Sequence, residues 1–194
     1  MRALLLACAA LVAAGCAAPE TRPPAAGLAA TGIPRAFDLS GRVAVRHDDQ
    51  AFSGNLRWEH LPGRDELWIL TPLGQGVAHI VREPGGARVK IQDQPEQRAI
   101  DVEALTERVL GWRLPLAGLE HWVLGVSAPD TPARIELDAD GRISRIAQDG
   151  WTIDYLRRSE EFGVNLPTAL TLRRTGLEVR LSVHEWNLAA GAPP

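Results

Sequence analysis

The chain of 194 residues carries 24 acidic and 21 basic side chains, a formal charge of −3, with 45% apolar and 5% aromatic residues. That length suits one domain able to bury its core without disulfides or metals. The charge balance excludes a dedicated nucleic-acid binder, which needs a basic face to neutralise several phosphates, and the apolar content excludes a wholly disordered chain.

At the N-terminus, Met1-Arg2 precedes an apolar run from Ala3 to Ala14 and then Gly15-Cys16. Residues 1–15 read as a signal peptide with charged, apolar and small-residue regions in order; the run is too short to span a bilayer. Cys16, after Ala13-Ala14-Gly15, resembles the acylated cysteine of a bacterial lipobox, with Ala13 where leucine is usual. The alternative is an ordinary secretory peptide cleaved nearby. An acylated Cys16 would carry an N-acyl chain and a diacylglyceryl group, enough apolar chain for stable anchoring, and no other cofactor is expected. Ala17 stands where aspartate would favour inner-membrane retention in many Gram-negative lipoproteins, which points to the outer membrane, facing the periplasm. Cys8 leaves with the signal, so there is no disulfide framework. Residues 16–36, with Pro19, Pro23, Pro24 and Pro34, read as the lipidated cysteine and a flexible tether.

From Leu39 the apolar residues alternate. Leu39, Gly41, Val43 and Val45 face one way, and after the Asp48-Asp49 turn Phe52, Leu56 and Trp58 share a face up to Pro62-Gly63, which predicts a hairpin. Residues 65–71 form a third strand with both faces apolar, 76–83 a fourth, and after Gly85-Gly86 residues 87–93 a fifth. At Asp101, a candidate N-cap, the period becomes helical, with Val102, Leu105, Val109 and Trp112 near one stripe and Gly111 beyond the last turn. Pro115 is expected at the first position of a second helix bearing Leu116, Leu119, Trp122 and Val123, ended by Gly125. Strands resume at 134–138, 142–148, 151–157, 168–174 and 177–186, with turns at Asp140-Gly141, Asp149-Gly150 and Thr175-Gly176. The sum is an α+β, mainly β chain of about ten or eleven antiparallel strands and two short helices. Residues 37–187 form one domain and 188–194 a tail. A sheet that long must curl, and its concavity is either a solid core or a hollow covered by the helices.

Chemistry-bearing patterns are sparse. Ser127 in Gly-Val-Ser-Ala-Pro lacks the second glycine of a nucleophile elbow, and His47, His60, His79, His121 and His184 show no ligand spacing, so neither an enzyme nor a metal site is expected. No phosphate-cradling Gly-x-x-x-x-Gly-Lys stretch occurs. The pairs Arg157-Arg158 and Arg173-Arg174 are read as solvated cations that could meet headgroups or an acidic partner.

Five segments in order resemble the LolB family of outer-membrane lipoprotein receptors. They are Thr71-Pro72-Leu73-Gly74-Gln75, Gly111-Trp112-Arg113-Leu114-Pro115-Leu116, His121-Trp122-Val123-Leu124-Gly125, Gln148-Asp149-Gly150-Trp151 and Leu166-Pro167. The resemblance implies an incomplete, half-open antiparallel barrel with a helical lid over a hydrophobic cavity. It implies a monomer that takes acylated lipoproteins from the periplasmic carrier LolA and inserts them into the inner leaflet of the outer membrane without ATP. Alternatives are a soluble-type carrier of the same fold and a structural outer-membrane lipoprotein. On this reading the cavity wall comprises Leu39, Val43, Val45, Phe52, Leu56, Leu67, Ile69, Ile80, Val89, Ile91 and Ile153. The lid supplies Leu105, Val109, Leu116 and Leu119, and Trp58, Trp112, Trp122 and Trp151 line or cap the space. Pro72, Leu73 and Gly74 form the membrane-insertion loop, with Leu73 protruding.

Overall fold

The computed structural model describes residues 33–160 and 164–188; the signal peptide, Cys16 and nearly all of the tether lie outside the described residues. In chain order the elements are β1 (Phe37–His47), β2 (Gln50–Leu61), β3 (Arg64–Leu70), β4 (Gly76–Glu83), β5 (Gly86–Ile91), β6 (Gln97–Ala99), α1 (Val102–Leu110), α2 (Leu116–Trp122), β7 (Arg134–Leu137), β8 (Ile143–Gln148), β9 (Trp151–Ser159), β10 (Leu166–Arg174) and β11 (Leu177–Leu188). All strands join one antiparallel sheet in the order β6-β5-β4-β3-β2-β1-β11-β10-β9-β8-β7. Two meanders therefore meet at β1 and β11, and the edges β6 and β7 stay unpaired, so the barrel is incomplete.

Local chemistry accounts for most of this path. Asp149 and Gly150 both have positive φ, 52° and 77°, as a two-residue hairpin turn between twisted strands requires. Neighbouring backbones approach closely where side chains are missing. A Cβ on Gly41, at the bulge where β1 crosses β11, would collide with the Ser182 carbonyl oxygen, and one on Gly54 with the Leu70 carbonyl oxygen. Glycine inside a strand marks such close approach.

Most strand ends fall within two residues of those expected, and three differences have a local cause. β6 is an additional strand; three residues with Gln97 and Arg98 on an edge carry no alternation to read. β3 ends at Leu70, because Thr71 turns to bond with Gln75. Pro115 is the N-cap of α2 and not its first helical residue, since its ψ of 66° lies outside the helical range. Helix α1 matches its expected caps: the Asp101 side chain accepts from the Glu103 N–H at 2.8 Å, and Gly111, at φ 83°, donates to the Glu107 carbonyl.

Parity sets what lies inside. Opposite Leu39 stand Trp58 on β2 and Trp186 on β11, and opposite Trp58 stands Leu67 on β3, followed by Ile80 and Val89 on β4 and β5. The second meander adds Leu170, Leu172, Ile153 and Ile146. These residues and the apolar stripes of α1 and α2 belong to a single buried cluster, so the sheet wraps the helices on its concave side.

Candidate functional site

The inner face and its helical cover form one apolar body. Leu39, Val43, Leu56, Trp58, Leu67, Ile80, Val89, Trp151 and Ile153 are buried on the sheet, with Val45, Phe52, Ile69 and Ile91 half-buried against them. From the cover, Leu105, Leu116 and Trp122 have no exposed surface, while Val109, Trp112 and Leu119 pack at its margin. All the wall and lid residues picked from the sequence thus converge on one cluster. The two helices lie directly on the sheet, their own side chains packed against its inner face. Strands were expected at 168–174 and 177–186, but no lining residues were picked from them or from the start of β1: Phe37 and Trp186 stack edge-on with centroids 5.5 Å apart, and Leu170, Leu181 and Val183 are buried in the same cluster. The run Leu177, Val179, Leu181, Val183 carries the same period-two signal and would have found them.

Helix α2 is held at both wings of the sheet by polar contacts that the sequence did not show. On one side the Arg82 guanidinium of β4 donates from Nη2 to Glu120 Oε2 at 2.6 Å and from Nε to Asp65 Oδ2 at 2.6 Å. Asp65 is fully buried, and its Oδ1 accepts from Trp58 Nε1 at 2.9 Å and lies 2.8 Å from His60 Nδ1. Burial would push this carboxyl up, but the His60 hydrogen bond, the Arg82 charge and the Trp58 N–H outweigh it and hold the group below the ordinary carboxylate range. Burial would likewise lower the Arg82 pKa; Asp65 and Glu120 overcome it and raise it. The one available signal was a carboxylate at 65 sharing the inward parity of Leu67 and Ile69.

On the other side Trp122 Nε1 donates to Gln148 Oε1 at 2.8 Å, and the Tyr155 hydroxyl donates to the Trp122 carbonyl at 2.8 Å. Gln148 is buried and satisfied, its Nε2 donating to the Ala128 and Thr131 carbonyls at 2.8 Å each. Burial pushes the Tyr155 hydroxyl pKa up, which keeps it a donor. The loop into α2 is tied as well, the Leu114 N–H donating to the buried Thr106 Oγ1 at 2.9 Å.

The ligand atoms of His60, Asp65 and Glu120 fall within 4.8 Å of one another, a convergence that histidine spacing in the sequence did not reveal. The Arg82 guanidinium already binds both carboxylates and supplies the positive charge there. The paired arginines are structural in part: Arg158 donates to the Asn165 and Ile143 carbonyls and lies over the Tyr155 ring, and Arg173 bridges Asp154 and Glu178.

The turn between β3 and β4 is the opposite case, an apolar side chain held out in solvent. Thr71 N–H donates to the Gln75 carbonyl at 2.7 Å, Gly74 N–H to the Thr71 carbonyl at 2.9 Å, and Gln75 N–H to Thr71 Oγ1 at 3.1 Å. Gly74, at φ 84°, supplies the left-handed residue. This network leaves Leu73 90% exposed, between Pro72 and Gly74.

A curved antiparallel sheet with two unpaired edges, its apolar inner face covered by two short pinned helices and one leucine presented on a tight turn, defines a helix-covered half-barrel. The family model for outer membrane lipoprotein LolB matches residues 35–186, and the chain belongs to that family. It is 42% identical to outer-membrane lipoprotein LolB of Thiobacillus denitrificans over 90% of this chain and 91% of that one. The protein of the same name from Chromobacterium violaceum is 38% identical over 96% and 99%. A solved LolA superfamily protein from Nitrosomonas europaea superposes with a TM-score of 0.47 at 12% identity, covering 81% of this chain and 88% of that one. Among the described residues no helix is long and apolar enough to cross a membrane.

Proposed function

We propose that this chain is the outer-membrane receptor that takes acylated lipoproteins from the carrier LolA into its inner face and releases them into the inner leaflet, anchored by acyl chains on Cys16. The observation that carries the reading is the uninterrupted apolar cluster shared by the sheet and two helices of nine and seven residues, a cover small enough to move as a unit. Exposing one sixteen-carbon chain to water costs on the order of 10 kcal/mol, at ~0.8 kcal/mol per CH2. Lifting Leu105, Leu116 and Trp122 off the wall costs about 1.5–3 kcal/mol each, a loss that arriving acyl chains on the same surface offset. Transfer then needs contact between two apolar faces and a gradient of affinity, with no nucleotide to drive it. Leu73, held outside the core, is suited to enter the acyl region of a bilayer at release.

The test is displacement of a fluorescent hydrophobic probe from the protein by acylated lipoprotein and by the same lipoprotein without its acyl chains. Displacement by the acylated form alone supports the reading. The shut lid favours a second reading, a structural lipid-anchored protein with a solid core, and absence of probe binding would select it.

A further inference from the structure

The outer face of the sheet carries a groove bordered by charged side chains. A groove of about 360 Å³ runs across β2, β1, β11 and β10, floored by small side chains including Ala44, Ser53, Ala169 and Ser182. A second groove of about 210 Å³ shares Ala44, Ser53 and Arg180 with it and adds Arg46, so the two make one trough. Its margin holds Arg42, Arg46 and Arg180 against the single carboxylate of Glu178. Arg180 pairs with Glu178 at 2.8 Å, whereas among the described residues Arg42 and Arg46 have no ion pair and both are exposed. This is a locally cationic concavity on a chain of net charge −3. Its two walls end in apolar residues: Pro72, next to the exposed Leu73, on one side, and Leu156, 64% exposed, on the other.

We infer that this trough is a docking surface for the phosphate headgroups of an anionic bilayer. Arg42 and Arg46 contact the phosphates, and Leu73 and Leu156 enter the interface on either side. Unpaired guanidinium groups bind phosphate strongly, and exposed leucines flanking cations are the composition of an interfacial membrane site. An acidic protein would match the charge without accounting for two exposed leucines. The inference deepens the receptor reading: it gives the sheet an orientation on the membrane that brings the Leu73 turn to the lipid.

The experiment uses the full mature chain with Cys16→Ala, which removes the acyl anchor, in flotation with vesicles of phosphatidylcholine alone or with about one third phosphatidylglycerol. Each arginine at an anionic surface contributes about fivefold to binding. The expected results are therefore a preference of about tenfold or more for anionic vesicles, lost at high salt, and a drop of at least 25-fold in Arg42→Glu/Arg46→Glu. Leu156→Glu should also weaken binding. Arg98→Glu/Arg134→Glu, on the two edge strands, makes the same change in net charge and should weaken it only a few-fold. Thermal unfolding confirms that each variant is folded. Equal binding of the trough variant and the parent to anionic vesicles overturns the inference, as does an equal loss in the edge-strand control, or loss of binding to an acidic carrier protein with vesicle binding intact. Probe displacement by acylated lipoprotein decides the receptor reading separately, because the substituted residues Arg42, Arg46 and Leu156 lie outside the buried cluster of the inner face.

Discussion

Replacing Glu120 with glutamine should loosen the lid without unfolding the protein. The substitution keeps the shape of the side chain but removes the charge that Arg82 Nη2 meets at 2.6 Å. Hydrogen bonds to charged groups are worth about 1.5–3 kcal/mol, and because the Glu120 side chain is 22% exposed the loss belongs near the lower end, about 1.5 kcal/mol after solvent screening. Arg82 keeps Asp65 as its partner, so no buried charge is stranded. If that energy holds the lid down, the population of the lifted state rises about tenfold, and the apparent dissociation constant of a ligand that needs it falls by the same factor. The assay is titration of a fluorescent hydrophobic probe beside a urea melt. Probe affinity should rise about tenfold in Glu120→Gln while stability falls by no more than about 2 kcal/mol. A variant equally destabilised but with parental probe affinity would show that the Arg82 contact does not restrain entry to the inner face.

Three further outcomes rest on other contacts. Asp65→Asn leaves Arg82 and the Trp58 N–H facing a neutral amide in a buried site and should cost about 3 kcal/mol in denaturant unfolding. Because the folded-state pKa of Asp65 lies below its unfolded value, its stabilising effect is complete above the ordinary carboxylate range, near pH 4, and is lost as pH falls through the depressed value. The parent should therefore lose stability as pH falls below the ordinary carboxylate range by a margin that Asp65→Asn does not show, and parallel pH profiles for the two would contradict the assignment. Gly118→Ala places a Cβ 2.5 Å from the Trp122 indole; with that ring fully buried the expected loss is about 1–3 kcal/mol, accompanied by altered near-ultraviolet circular dichroism. Leu73→Glu, at a site almost free of packing, should change stability by less than about 0.5 kcal/mol and still allow displacement of the probe by acylated lipoprotein, while abolishing lipoprotein insertion into liposomes.

The inner lining of β1 through β5 was legible because alternation is a local property. Leu39, Val43, Trp58, Ile80 and Val89 each declare their face through neighbours two residues away, whereas β3, apolar on both faces, left the parity of Leu67 to the pairing with Trp58. Turn chemistry is equally local, which is why the Asp149-Gly150 hairpin and the Asp101 and Gly111 caps of α1 could be read directly. The tight turn that holds Leu73 out is built from Thr71, Gly74 and Gln75, all within five residues, yet the sequence allowed that leucine to fold inward just as well. Only the bonds formed by those residues exclude it.

What periodicity could not express depends on pairs far apart in the chain. The closure of β1 on β11 joins Phe37 to Leu188, and the small residues that make the outer trough come from four strands meeting there. The same limit hides Asp65 on β3, whose partners Trp58, His60 and Arg82 lie on β2 and β4 and which reaches Glu120 of α2 only through Arg82; in sequence it is one carboxylate among 24 acidic residues. Whether the concavity is filled is decided last. It depends on how the summed volumes of side chains from both meanders and both helices fit one space, a quantity that no stretch of sequence contains and that only the assembled sheet defines.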